Sequence, residues 1–224
     1  MTAQTTSPNH RPVILAVAML AALQFAAAIV IGNSGVLANS GLSMFPPIAI
    51  SAFVPVTVFF GAYALSERFR QFVLSFDLRT LTLVQMWRVV GFTFLTLYAY
   101  DLLPGLFAWP AGAGDVAVGL MAFVVIRRLD RDPDYGTSTD YLRFHWLGLF
   151  DFAVAVATAG LAAGAFPALV PGGITTAPMD VWPLNIFPSF GVPAFIILHS
   201  VALLKVRQLR RLSGANTTAL PQAA

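Results

Sequence analysis

Six runs of roughly twenty apolar residues, separated by short connections, limit this chain more than any motif in it. They lie at 13–31, 46–65, 83–103, 106–126, 144–165 and 186–204. Each is close to the ~20 residues that a helix needs to cross ~30 Å of hydrocarbon. Inside lipid every backbone amide must be bonded within its own segment, so the runs are expected to be helices. The expected fold class is therefore all-α: a polytopic membrane protein with six transmembrane helices in a bundle. Residues 1–12 read as an N-terminal cytoplasmic tail, 13–205 as one six-helix transmembrane domain, and 206–224 as a basic, then disordered, cytoplasmic tail. The first run, nineteen residues long, exceeds the roughly 7–15 of a signal-peptide core and is read as a span.

Composition agrees with lipid. Hydrophobic residues make up 58% of the chain and charged ones 10%, against about a quarter charged in an average soluble domain. The lack of cysteine excludes disulfides, thiolate metal sites and cysteine nucleophiles together. A pI near 9.7 would suit a nucleic-acid binder, but the placement of the charge argues for topology instead. Of the thirteen lysines and arginines, Arg11 precedes the first run, and Arg68, Arg70 and Arg79 lie between the second and third. Arg127, Arg128, Arg131 and Arg143 lie between the fourth and fifth, and Lys205, Arg207, Arg210 and Arg211 follow the sixth. By the positive-inside rule both termini are expected in the cytoplasm. The lipid bilayer is the expected partner, and nucleic acid is not. In the second of these connections, "SERFRQFVLSFDLR" spaces Phe69, Phe72, Val73 and Phe76 for a short helix lying on the inner membrane surface, or for a continuation of the second span.

The basic residue outside this pattern is Arg88, in "LVQMWRVVGF". Counted from the basic end, Arg88 stands six residues inside the third run, Asp151 seven inside the fifth and His199 six inside the sixth. At ~1.5 Å per residue these depths are nearly equal. Gln85 shares the helical face of Arg88 at i−3. A lone charge at such a depth costs about 2.5–3.5 kcal/mol on insertion scales, so a partner is expected. The sequence predicts an Arg88–Asp151 ion pair with Gln85 and His199 as hydrogen-bonding neighbours. The alternative is that Arg88 snorkels to the headgroups.

"LPGLFAWPAGAGD" raises a second candidate. Its end opens "GAGDVA", Gly112 to Ala117, which satisfies the Gly-x-Gly-x-x-Ala pattern of dinucleotide sites, but no strand or βαβ unit is available to it. Two prolines and three glycines just where the fourth span should begin predict a non-helical stretch from Pro104 to Asp115. Such a stretch would enter the outer leaflet and expose helix N-terminal amides to a polar solute. Asp101, Pro110, Gly112, Gly114 and Asp115 would form this outer-face site. The alternative is a tight hairpin with Pro110 in the first helical turn. Gly160 and Gly164 make a Gly-x-x-x-Gly face suited to helix packing, within the bundle or in a homo-oligomer. His145 falls at the inner edge of the fifth run and His199 well inside the sixth, so paired haem ligation is not expected from their depths. No metal or cofactor is expected, and no catalytic residue is assigned, because zincin, nucleophile-elbow and P-loop motifs are absent.

Together, "QMWRVVGFTFL", "LPGLFAWPAGAGD", "FHWLGLFDFAVAVATAG" and "WPLNIFPSFGVPAFIILH" resemble an uncharacterised family of short bacterial multi-pass inner-membrane proteins, over residues 45–205. The resemblance implies a bacterial inner-membrane location and six spans, and it implies no activity. The first functional reading is a small permease or a proton- or ion-coupled carrier, with a proton or a small polar solute as cargo. The second is a non-catalytic membrane subunit or scaffold. The third is a membrane enzyme acting on lipid or isoprenoid through Asp101 and Asp115. The topology is tested by cysteine labelling: residues introduced at Ser34 and Thr176 should react with an impermeant thiol reagent outside the cell, and one at Ser138 should not. Labelling of Ser138 in intact cells would invert the orientation.

Overall fold

The computed structural model describes residues 11–38, 48–132 and 134–218. Among them the chain forms α1 (Arg11–Ser34), α2 (Ile48–Leu65), α3 (Glu67–Val73), α4 (Leu78–Gln85), α5 (Phe92–Ala99), α6 (Gly105–Arg131), α7 (Thr139–Leu161) and α8 (Val192–Thr218), with no strand. A 3-10 stretch, Met86–Gly91, joins α4 to α5, and a π-helical turn, Phe187–Gly191, leads into α8. Six helical stretches are long and apolar enough to cross a membrane: α1, α2, α4 through α5, α6, α7, and the π turn with α8. The chain is a multi-pass membrane protein.

Capping residues set several boundaries. Asp77 accepts a hydrogen bond from the Thr80 amide at 2.8 Å and starts α4. Hydrogen bonding from Thr80 also holds the Asp77 carboxyl below its ordinary value. Ser138 accepts from the Tyr141 amide at 3.1 Å and starts α7. Both helices therefore begin five residues before the apolar runs at 83 and 144, because their first turns carry polar residues that hydropathy does not count. Ser66 caps α3 in the same way, so "ERFRQFV" is a helix of its own and not an extension of α2.

Three expectations are corrected. The segment Pro104–Asp115 is not a broken helix start, because α6 runs without interruption from Gly105 through Pro110 and both glycines. Satisfying backbone groups in lipid outweighs the poor intrinsic propensity of these residues, and Ala108, Ala111 and Gly112 among them are buried. Of the tail expected to be disordered, residues 213–218 belong to α8, and residues 219–224 lie outside the described residues. Gly160 and Gly164 do not share a helical face, since α7 ends at Leu161 and Gly164 sits beyond it with φ of 107°.

The packing centres on α6. That helix contacts both the α4–α5 span and α7, α8 packs on α7 and on α4, and α2 packs on α8. At the arginine-rich end one apolar cluster gathers Leu81, Val118, Tyr141, Phe144 and Ala202. At the opposite end, here the loop end, a second gathers Phe94, Phe107, Ala111 and Met179. The region between these clusters holds Arg88, Asp115 and Asp151. The helices approach closely there: a Cβ on Gly119 would lie 2.9 Å from the Val89 backbone nitrogen, and one on Gly112 would lie 3.1 Å from the Gly91 carbonyl. Thr176 is buried and donates to the Ala159 carbonyl at 3.1 Å, so the neighbouring exposed Ala177 is the better position for outside labelling.

Gly119→Ala should destabilise the protein by about 1–3 kcal/mol, since the backbone it meets must shift. A Cβ on Gly61 meets nothing within 4 Å, so Gly61→Ala should be neutral or slightly stabilising through helix propensity. Thermal unfolding of the two variants in detergent checks the contrast.

Candidate functional site: a buried charge cluster below an apolar cavity

Arg88 lies in the 3-10 stretch, and the sequence explains its direction. Thr82, Gln85, Arg88 and Gly91 recur every three residues. A helix with 3.0 residues per turn stacks i and i+3 on one side, so the 3-10 geometry keeps the end of this row pointing inward. All four residues are buried. On α7, Tyr141, Phe144, His145, Gly148 and Phe152 fall at i, i+3, i+4, i+7 and i+11 and are buried as one face.

The Arg88 guanidinium is fully enclosed and uses each of its nitrogens. Nε donates to Asp115 Oδ1 at 2.7 Å, Nη2 donates to Asp151 Oδ2, and Nη1 donates to the Gly148 carbonyl at 3.3 Å. Nη1 also lies 3.1 Å from His199 Nε2. The guanidinium carbon stands 4.0 Å above the Phe152 ring. His199 Nδ1 is 2.8 Å from His145 Nδ1.

These contacts assign the histidine tautomers. A guanidinium only donates, so His199 Nε2 accepts, and its ring proton sits on Nδ1. His199 Nδ1 then donates to His145 Nδ1, which leaves the His145 proton on Nε2. Both rings are neutral. The formal charge of the cluster follows: one guanidinium against two carboxylates leaves one negative charge in excess.

Glycines make the cluster possible. A Cβ on Gly114 would collide with the Asp151 carboxylate, one on Gly91 with Asp115, and one on Gly148 with the His199 ring. Any larger residue at these three positions would push a charged or polar partner out of place.

A cavity of about 100 Å³ lies against the cluster. Arg88 and Asp115 line it at one end, and Thr176, Met179 and Asp180 of the α7–α8 connection line it at the other. The walls between are mostly apolar, with Phe94, Phe107, Phe152, Phe187 and Phe195 among them. Both residues line this space, and the Asp115 side chain is 17% exposed whereas that of Arg88 is 0%.

Of the residues singled out from sequence, Arg88, Asp151 and His199 meet as expected, and snorkelling of Arg88 is excluded by its burial. Gln85 is buried at the next turn but makes no hydrogen bond to Arg88, and neither atom of its amide has a partner among the described residues. Asp115 is not on an outer face. It sits ten residues into α6 and bonds Arg88, whereas Asp101 is exposed in the α5–α6 turn with φ of 56°. The outer-face group of Asp101, Pro110, Gly112, Gly114 and Asp115 therefore does not assemble, and the carboxylate pair proposed for lipid chemistry is separated. His145 lies deeper than its apolar run suggests, because α7 starts at Thr139, six residues before it, and it contacts His199. The 2.8 Å between their nitrogens is shorter than the ~4 Å that two opposed axial ligands of one haem iron require, each at ~2 Å from the metal.

Removing Arg88 leaves two buried carboxylates, so Arg88→Ala should cost about 3–5 kcal/mol. Adding Asp151→Asn should restore part of this, and adding Asp115→Asn as well should restore more. Unfolding free energies of the single, double and triple variants in lipid–detergent mixtures measure the recovery.

Comparisons with curated proteins and with solved structures returned no match. A family model does match, over residues 45–207, and these residues contain every member of the charge cluster. The chain belongs to the family described as a domain of unknown function, DUF8737.

Proposed function

We propose that this protein is a small proton-coupled permease in which Arg88, Asp115 and Asp151 form the coupling site. The observation that carries the reading is the excess negative charge at the base of a cavity. One guanidinium cannot neutralise two carboxylates, and a net charge at this depth is costly. The cluster is therefore neutral only when it holds a proton or another cation. That dependence is what coupling requires: a site whose occupancy by proton and by cargo are linked through a shared charge.

In this reading the arginine-rich connections face the cytoplasm and the cavity faces the opposite side. The neutral His199–His145 pair extends from the cluster toward the arginine-rich end, where Tyr141 and Thr82 are hydrogen-bonded at 3.1 Å. Imidazoles in such a row accept a proton on one nitrogen and release one from the other. They provide the inward half of a proton path. A scaffold has no need of an unbalanced charge beside a cavity, and the ion pair alone would specify helix register.

Infrared spectroscopy of the reconstituted protein with isotope-labelled aspartate tests the reading. Wild-type protein should show one protonated carboxylic acid at neutral pH, and its band should fade reversibly as pH is raised without unfolding. Asp115→Asn and Asp151→Asn should each abolish it, since either change balances the charge. Two carboxylates that stay ionised throughout would remove the coupling site and leave a structural cluster.

A further inference from the structure

We infer that the cavity binds a small organic monocation, a compact alkylammonium, whose charge takes the place of the shared proton. This rests on the permease reading above and names its cargo. Three features of the cavity converge on a cation. First, the charged group presented to it is a carboxylate. Every nitrogen of Arg88 is engaged by a cluster partner and its side chain has no exposed surface, whereas Asp115 lines the cavity and remains partly exposed. Second, five phenylalanines line the walls, and aromatic faces attract ammonium groups that have lost their water. Third, Arg88 is the one basic residue among the described residues that line the cavity, and its charge is already shared by two carboxylates.

Size narrows the class. A cavity of ~150 Å³ holds benzene. The space here is about 100 Å³, which suits an ion of roughly four or five heavy atoms on that scale. A lone metal ion would leave most of the apolar wall uncovered and would find no cluster of three or more ligating side chains among the described residues.

The exchange balances. With the site empty of cargo, the proton sits on one carboxyl group. When the ammonium enters, that O–H bond breaks, the proton leaves to solvent, and the cluster with its occupant is again neutral. One monocation is exchanged for one proton, and no net charge enters the protein.

Tetramethylammonium is a suitable probe, because it has five heavy atoms and cannot itself carry a proton. Added to purified wild-type protein in weakly buffered detergent solution, it should raise the unfolding temperature in proportion to its occupancy. It should also release up to about one proton per chain. The similarly shaped neutral tert-butanol and the anion acetate should do neither. In Asp115→Asn the half-saturating concentration should rise by about tenfold or more. Val156→Phe, which fills the cavity and leaves the charges intact, should lose the response and decides the matter if Asp115→Asn does not fold. Equal stabilisation by tert-butanol, a response to acetate, or a tetramethylammonium response that survives both substitutions would overturn the inference. If the protonated carboxyl band is present but tetramethylammonium releases no proton, the cargo assignment falls and the permease reading stands. If the band itself is absent, the permease reading has failed first.

Discussion

The enclosed guanidinium of Arg88 decides how the helices of this protein meet. A charge buried at that depth in a membrane protein must be bonded on all sides or lost to headgroups. Its partners come from three other helices: Asp115 from α6, Asp151 and the Gly148 carbonyl from α7, and His199 from α8. Helices of nearly uniform hydrophobicity could slide or rotate against each other at little cost, since lipid is as apolar as their neighbours. A hydrogen-bonded charge at the centre fixes depth and rotation for all four at once. The apolar clusters on either side then fill the space that this register leaves.

The closeness of the charges depends on what is missing from the backbone around them. Gly91, Gly114 and Gly148 each lie where a Cβ would displace a member of the cluster, and Gly112 and Gly119 let α6 rest on the 3-10 stretch. "GAGD" thus serves close packing and a buried carboxylate, not a phosphate. The 3-10 geometry of Met86–Gly91 belongs to the same design, because a three-residue repeat keeps Arg88 and Gly91 on one side facing α6. The α4–α5 span accepts poorer hydrogen-bond geometry there in return for the contact.

Where the registered helices diverge toward the loop end, they leave the aromatic-walled cavity. Its base carries Arg88 and Asp115, its walls are mostly apolar, and Asp180 lies at its far end. The imbalance of one guanidinium against two carboxylates separates this cluster from an ordinary structural ion pair. A single Arg–Asp pair is formally neutral, whereas here one guanidinium meets two carboxylates.

Much of the architecture was legible in the chain. Six apolar runs bounded by arginine-rich and arginine-free connections give six helices, since lipid tolerates no other use of such segments. The matched depths of Arg88, Asp151 and His199 pointed to their meeting, because buried charges need partners. Hydropathy alone starts α7 five residues late and makes His145 look shallow, while the proline and glycines of α6 read as a broken helix up to Asp115; these two effects hid the missing members of the cluster. With α6 and α7 extended to their true ends, Asp115 lies as far from the loop end as Asp151, ten residues each, and His145 is no longer shallow. The capping signals of Asp77 and Ser138 were present in the sequence and could have corrected the boundaries of α4 and α7. Nothing comparable marked α6, whose proline and glycines argue against helix locally and are overruled by the need to satisfy the backbone in lipid. The sequence by itself thus determined the class of fold, its spans and the residues that could not be left alone in hydrocarbon. Which carboxylates share Arg88, which glycines admit them and where the cavity opens were decided only by tertiary structure, because these depend on the rotation of each helix about its axis, and a nearly uniform apolar surface does not specify that rotation.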